Sequence, residues 1–421
     1  MATRRWSTWL AVVVVVGLIV GCSSPDDEPE QEDFDPWQRP LEGQWARGDL
    51  HAHSAGASND AAPESTPERI AEVAQKRKLD FVVLTDHSNS TQDPWTMDED
   101  PELYNTGPDF PHWELAKQLW DGSFMMVQGS ELSPTSDDNS EPTGHIGCIP
   151  RSLTDFDPDH AFTDRPRGEV PGGDALQQAL DVGCFAILNH PFGPVPWISY
   201  DWTDYGYEGM EVWNGGAGFN DFDELAVKGW ACDLSQDRQI TPIGASDNHD
   251  VEVEPPGSLS QPPLGYPVTW VWVEEFEWGH IIDGLDAGMV GITDSYDPFE
   301  IDVFEPDGRW LAMAGGEFEA EDERVVRLRG VRKSGDEERQ LKLMRVSEGS
   351  CDDQRQEGEI EAPDPNWEIV EEWALDGEGE FEKKVEVEVE QGDVFFGWMR
   401  PQTLGAHEED VAISGAVYTA E

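Results

Sequence analysis

Between about Trp45 and Met289 the chain alternates short apolar runs with segments of helical period. The clearest unit opens at Thr66, a hydroxyl residue suited to cap a helix, with Pro67 at the first helical position. Ile70, Val73 and Ala74 then form one apolar stripe, and Lys76-Arg77-Lys78 put positive charge at the helix's negative end. Residues 81–84 read as the buried strand that follows. The rhythm continues in apolar runs at 124–128, 146–149, 185–188, 210–213, 240–245 and 268–273, with helical patterns at 175–182 and 224–234. This alternation predicts a parallel α/β architecture over residues 44–297, with enough strands for a closed barrel.

From residue 298 the period changes to two, as in Phe299-Glu300-Ile301-Asp302-Val303 and Val385-Glu386-Val387-Glu388-Val389. Turn signals at Asp307-Gly308 and Gln391-Gly392-Asp393 separate the alternating runs, so residues 298–421 are expected to form a small all-β sandwich. That segment holds a single histidine, His407, and no dense group of ligand types. It is assigned no chemistry and read as a packing accessory, with a contribution to substrate or partner contact left open.

The N-terminus reads as an address. Arg4 and Arg5 precede an apolar run at residues 9–20, which is too short to span a bilayer comfortably, and residues 1–22 are expected to be a signal peptide. Ile19-Val20-Gly21-Cys22 resembles a bacterial lipobox, which makes Cys22 the lipidated mature N-terminus and the protein an exported lipoprotein of the bacterial cell envelope, on the periplasmic or outer-surface face of a membrane. The paired arginines also match, weakly, a twin-arginine export signal. Residues 23–43 begin as the acidic, Pro-containing SSPDDEPEQEDFDP and are expected to be a solvated tether. In an oxidising compartment Cys148, Cys184, Cys232 and Cys351 can form two disulfides in any of three pairings, the alternative being free buried thiols.

A formal net charge of -61, from 88 acidic and 27 basic residues, repels polyanions. It argues against a nucleic-acid duplex as partner and for a small-molecule substrate, and it makes most carboxylates solvated surface. Only carboxylates in special contexts then carry chemistry.

The 10 histidines supply those contexts. His51 and His53 lie in Gly48-Asp49-Leu50-His51-Ala52-His53-Ser54, and an H-x-H spacing on an extended segment puts both imidazoles on one side. Thr85-Asp86-His87 follows one apolar run, Gly129-Ser130-Glu131 another, and His145 opens Gly144-His145-Ile146-Gly147. Asn189-His190-Pro191, Glu211-Val212-Trp213-Asn214 and Ser246-Asp247-Asn248-His249 end three more. In a barrel all strand C-termini open on one face, so these residues are expected to meet. His112, His160, His280 and His407 lack such contexts and are read as surface or packing residues. The aromatic stretch from Trp197 to Tyr207 could line a pocket, although a packed loop is the preferred reading.

The ordered set DLHAHS, LTDH, GSE, GH, NHP and SDNH resembles the polymerase and histidinol phosphatase (PHP) superfamily of metal-dependent phosphoesterases, over about Trp45 to Met289. The GDLH opening and the appended β domain look most like its branch of carbaryl-hydrolase-type metallohydrolases. The resemblance implies a distorted (β/α)7 barrel holding two or three divalent ions, Zn, Mn or Fe. It makes His51, His53, Glu131 and Asp247 ligands of one ion, with Glu131 bridging to a second held by His145 and His190. His87 and His249 serve a third ion. The segment after the first motif offers only Asp60, at a spacing that does not match the family pattern, so two ions are expected and the third is left open. Asp49 and Asp86 are expected to orient neighbouring histidines.

Mixed imidazole and carboxylate ligation suits Zn, Mn or Fe, and paired ions about 3.5 to 4 Å apart can lower the pKa of a shared water toward about 7. Asp247 is the expected proton acceptor, with His249 or His87 protonating the leaving group if the third ion is absent. The expected reaction is hydrolysis of a small phosphomonoester or phosphodiester. Basic residues are scarce near the motifs, Arg47 and Arg151 being the nearest, which keeps a carbamate, ester or amide substrate open. A non-catalytic metal-binding envelope lipoprotein is the remaining reading.

Overall fold

The computed structural model describes residues 37–58, 60–87, 109–134, 144–159, 162, 172–193, 206–215, 218–255, 257, 261–320, 323–333, 337–349, 351, 363–402 and 410–420. Residues 1–36, with the expected signal peptide, Cys22 and most of the expected tether, lie outside them, as do His160, His407 and residues 197–205. Residues 37–421 form one compact unit.

Among the described residues ten strands build the first part: β1 (Gln44–Ala52), β2 (Phe81–Leu84), β3 (Met125–Gln128), β4 (Ser130–Leu132), β5 (His145–Pro150), β6 (Cys184–Asn189), β7 (Gly209–Asn214), β8 (Thr241–Ala245), β9 (Val268–Val273) and β10 (Val290–Thr293). Five helices accompany them: α1 (Pro67–Lys76), α2 (Trp113–Gln118), α3 (Gly172–Asp181), α4 (Asp221–Ser235) and α5 (Trp278–Asp286). Thr66 caps α1 as expected, its hydroxyl accepting from the Arg69 N–H at 3.3 Å. At α4, Asn220 and Asp223 form a capping box. None of the helices among the described residues is long and apolar enough to cross a membrane.

The chain is mixed α/β, rich in sheet and poor in helix, and the strands do not close into the expected (β/α)7 barrel. β9-β1-β2-β3 belong to one sheet and β4 to β8 to another. Three physical features account for the difference. The ladder breaks at Gly129, where a Cβ would come within 2.6 Å of the Cys148 carbonyl oxygen. β5 runs antiparallel to both β4 and β6, so the second sheet is not a βαβ series. β1 forms no ladder with β8, and it pairs with the chain just after β8 through one bridge, Ala52 to Asn248. The two sheets nevertheless enclose a common core of Leu50, Phe81, Val127, Ile187, Ile243 and Val271.

The C-terminal strands are β11 (Glu300–Phe304), β12 (Trp310–Met313), β13 (Glu317–Phe318), β14 (Arg324–Arg332), β15 (Arg339–Val346), β16 (Trp367–Leu375), β17 (Gly379–Val387), β18 (Val394–Arg400), β19 (Ala412–Ser414) and β20 (Val417–Thr419). β12-β11-β14-β17 form a four-stranded sheet. Its Ile301, Val303, Val326 and Leu328 pack with Leu341, Leu343, Phe395 and Met399 of β15 and β18. Those two strands are part of the sheet that continues through β19 and β10 into β9 and β1. Trp37 packs edge-on to Phe304 at 5.3 Å, and Arg39 pairs with Glu300 and Asp302 at 2.7 and 2.8 Å.

The four cysteines form two disulfides, Cys148–Cys184 and Cys232–Cys351. The first joins β5 to β6, and the second ties α4 to the chain beyond β15.

Candidate metal centre

One rim of the strands collects the polar residues of the motifs. His51 lies near the C-terminal end of β1 with His53 just beyond it; His87 follows β2, His190 follows β6, and Asp247 and His249 follow β8. Glu131 sits in β4. His145 opens β5, and because β5 runs antiparallel its first residue faces Asn189 at the end of β6, which brings it to the same rim. Main-chain bonds stitch the rim together, from Asp247 N–H to the His51 carbonyl and from His53 N–H to the Asn248 carbonyl, both 2.9 Å.

Glu131 is the hub. Its side chain is 1% exposed, and its two oxygens lie 3.1 Å from His51 Nε2, 2.9 Å from His87 Nδ1, 3.0 Å from His145 Nδ1 and 3.3 Å from His190 Nε2. Asn189 Nδ2 donates to it at 2.9 Å. Glycine at 147 makes room for that amide, since a Cβ there would lie 2.9 Å from Asn189 Oδ1. Asp247 forms a second focus, its Oδ1 being 3.2 Å from His51 Nε2 and 3.1 Å from His53 Nε2. Its backbone has φ +54°, a left-handed conformation rare for residues other than glycine.

Asp60 makes the third focus. Its Oδ2 lies 3.3 Å from His87 Nε2 and 3.2 Å from His249 Nε2. The sequence offered this residue without a matching spacing, because its position depends on a turn in which Ser58 N–H bonds to the Ser54 carbonyl. Three groups of donors could therefore hold a metal ion: His51, His53 and Asp247; His87, Glu131 and His145; and His53, Asp60, His87 and His249. The structure thus brings together all eight residues singled out in the sequence. His53 and His87 each belong to two groups, and His190 stands beside the second.

Hydrogen bonding alone does not satisfy this arrangement. His51 Nε2 and His53 Nε2 lie 3.1 Å apart, and His145 Nδ1 and His190 Nε2 lie 3.2 Å apart, so each pair of nitrogens shares one proton at most. Buried lone pairs converging in this way fit cations, and every cysteine among the described residues is tied up in a disulfide, which leaves nitrogen and oxygen as donors.

The electrostatics agree. Burial works against charge throughout, yet His145, His51 and His87 hold Glu131 well below the usual carboxylate range, and His51, His53 and His249 do the same for Asp247. His87 and His249 likewise depress Asp60. In return the carboxylates of Asp247, Glu131 and Glu211 outweigh burial and keep His51 well above the usual imidazole value, while Asp60 and Glu131 lift His87 to about 10. His53 moves the other way, to about 3, because burial is joined by repulsion from His249 and His87. Protons thus balance the carboxylate charge where a cation can replace them.

The supporting residues differ from expectation in detail. Asp49 accepts from the main-chain N–H groups of Gly265, Ser246 and His51, so it fixes backbone rather than an imidazole. Asp86 acts one step removed, accepting from Ser54, Gln128 and Ser58, whose hydroxyl stands 2.9 Å from His53 Nδ1. Glu211, which the sequence reading gave no role, lies 2.7 Å from His51 Nδ1. An acid inside the apolar run of β7 was the available signal, since a buried carboxylate demands partners. Arg47 is committed to the Arg77 carbonyl and Arg151 to Glu208 and Asp286. Tyr207, at the end of the aromatic stretch, is buried with its hydroxyl donating to Asp233 at 2.7 Å, as in a packed loop.

No family model matches the chain, and no curated protein does. Solved structures similar to it include a two-domain protein from Bacteroides vulgatus containing a predicted PHP-like metal-dependent phosphoesterase, at 16% identity over 90% of this chain and 98% of that one, with a TM-score of 0.39. A lesion-specific endonuclease from Pyrococcus furiosus matches at 15% identity over 58% of this chain and 56% of its own, TM-score 0.37. PsfC from Pseudomonas syringae matches at 16% identity over 54% and 82%, TM-score 0.33. Likenesses at this level carry no argument about activity, so the functional reading rests on the geometry of the site.

Proposed function

We propose that the chain is a metal-dependent hydrolase, most specifically a phosphoesterase acting on a small phosphomonoester or phosphodiester. The observation that carries this reading is the burial of Glu131 among four imidazoles, with Asp247 and Asp60 completing two neighbouring groups of donors. His51, His53 and Asp247 would hold one divalent ion, Glu131 with His145, His190 and His87 a second, and Asp60 with His249 the ligands of a third. Zn, Mn or Fe suits this donor set. Such ions, when bound, supply Lewis-acid stabilisation of charge on a phosphoryl or carbonyl oxygen and make water more acidic.

The chain's own residues do the rest. Asp247 is the proton acceptor: its side chain is 22% exposed against 1% for Glu131, so it meets the site entrance while remaining ionised beside His51 and His53. In the absence of the third ion, His249, 29% exposed, is placed to return a proton to a leaving group.

A carbonyl substrate, a carbamate, ester or amide, is the second reading. It is favoured by one observation: among the described residues no lysine or arginine pairs with Glu131, Asp247 or Asp60. We place the protein in the bacterial envelope, anchored through Cys22, on the strength of its leader and of two disulfides that suit an oxidising compartment. A net charge of -61 supports a small-molecule substrate over a nucleic-acid duplex.

The test is elemental analysis of the purified protein together with a panel of p-nitrophenyl phosphate, phosphodiester, carboxylester and carbamate substrates. Turnover of phosphoesters supports the first reading, and turnover of carbonyl compounds alone transfers support to the second. Bound metal with no turnover on any of them leaves a non-catalytic binding protein.

A further inference from the structure

Glu211 lies in β7, between β6 and β8, with its side chain 1% exposed. Both of its oxygens are engaged. Oε1 accepts from His51 Nδ1 at 2.7 Å; Oε2 accepts from the main-chain N–H of His190 at 2.7 Å and from Asn214 Nδ2 at 2.8 Å. His51 and His190 come from different strands, and one carboxylate holds both.

The consequences at the two residues differ. An ionised carboxylate oxygen can face only the N–H of an imidazole, so Glu211 places the His51 ring proton on Nδ1. The proton that a cation displaces is then the one on Nε2, the atom 3.1 Å from Glu131 and 3.2 Å from Asp247. At His190 the hold is on the main chain. The residue has φ +29°, a conformation that costs energy outside glycine and persists only where neighbours enforce it. The bond from its N–H to Glu211 is such an enforcement, and the turn it holds aims Nε2 of His190 at Glu131, 3.3 Å away.

We propose that Glu211 is a positioning residue of the metal centre, selecting Nε2 as the coordinating atom of His51 and holding the turn that presents His190. The inference rests on the reading of the cluster as a metal centre. Glu211→Gln separates this role from simple bulk, because it keeps size and shape but leaves one acceptor oxygen for three donors. If that oxygen stays with the His190 N–H, the amide NH2 faces His51 Nδ1, which must then present its lone pair. The ring proton moves to Nε2 and blocks coordination there.

The experiment uses the full chain in three measurements: Zn2+ and Mn2+ affinity by equilibrium dialysis, the coordinating imidazole nitrogens by long-range 15N–1H NMR of the Zn2+-loaded protein, and unfolding by urea. Glu211→Gln is expected to lower metal affinity by about 10- to 100-fold, the usual effect of removing an outer partner of a ligand. In the Zn2+-loaded variant one histidine should lose its coordination through Nε2, and Glu211→Asp should recover part of the affinity. A Glu211→Gln protein that is less stable but binds metal with wild-type affinity overturns the proposal. Should Glu211→Gln not fold, the wild type decides: coordination of zinc by His51 through Nδ1 in the Zn2+-loaded protein also overturns it. A wild type that binds neither ion fails the metal-centre reading itself, a result distinct from either of these.

Discussion

Glu131→Gln tests the metal centre at its hub. The substitution keeps volume and one acceptor but removes a charge that lies between 2.9 and 3.3 Å from four imidazoles. In the metal-free protein, removing one member of a buried charge pair costs about 3 to 5 kcal/mol. The imidazoles can shed protons in response, which puts the expected loss near the lower end, about 3 kcal/mol. The effect with metal separates function from folding. At a metal concentration of about 1,000 times the wild-type Kd, binding stabilises the folded wild type by about 4 kcal/mol. If losing the carboxylate weakens binding about 100-fold, the same concentration stabilises Glu131→Gln by only about 1.4 kcal/mol. Urea unfolding in EDTA and again with Zn2+ or Mn2+ measures both quantities. Equal metal-induced stabilisation of the two proteins would refute the assignment of Glu131 as a ligand, whatever the activity.

Four further outcomes are expected. Carboxylates raise His87 to about 10 and hold His51, His190 and His249 above the usual value, so metal uptake at pH 7 should release protons and metal affinity should fall as pH drops; proton-neutral binding counts against this. In EDTA the stability that His87 contributes is present below its unfolded value of about 6.5 and is lost as pH rises through about 10, whereas that from Glu131, Asp247 and Asp60 is present above about 4 and lost as pH falls through their lower folded values. His53, held near 3, takes stability away as pH falls below about 6.5, so metal-free protein should be most stable near pH 6, and a flat profile above that pH contradicts the charge balance described here. Arg39→Ala takes one partner each from Glu300 and Asp302, which keep Arg329 and Arg327, and should cost about 2 kcal/mol in urea unfolding; an unaffected Arg39→Ala protein shows these pairs to be incidental. Disulfides closing 36 and 119 residues limit the unfolded chain by up to about 4 and 5 kcal/mol. Replacing Cys148 and Cys184 by Ser should also weaken metal binding, because their bridge ties the strand of His145 to the strand preceding His190; unchanged affinity would show the bridge to be remote from the site.

Individual elements were legible where one local signal sufficed. Thr66-Pro67 and the apolar stripe after it mark α1 because capping and period act within two turns. Strand direction was not legible. The run at 146–149 looks the same whether its strand pairs parallel or antiparallel, since a strand buried on both faces carries no alternation to read. Closure failed for the same reason: apolar runs count strands but do not say whether the first and last form a ladder, and here Ala52 and Asn248 contribute one bridge. In the C-terminal half alternation did reveal strands, yet it could not show that β18 and β19 extend the sheet of β10 and β9, because that depends on which edge remains unpaired.

Ligand candidates were legible for a different reason, one of placement. An ionisable residue directly after the apolar run of a parallel strand ends up at the C-terminal rim; His145 precedes its run instead and reaches the same rim because β5 is reversed. Residues set by turns or by partners escaped this logic. Asp60 owes its position to the turn at Ser54 to Ser58, and Glu211 owes its burial to three donors that come from His51, His190 and Asn214. A lone acid within an apolar strand is tolerated only when such donors exist, so Glu211 itself implied that a cluster lay on its side of the sheet. The same constraint acts on the whole rim: with Arg47 and Arg151 committed elsewhere, charge on Glu131, Asp247 and Asp60 is balanced by imidazolium groups alone among the described residues. A site that holds its carboxylates ionised without a lysine or arginine is one whose counter-charge can leave as protons, and that exchange is what lets a cation in.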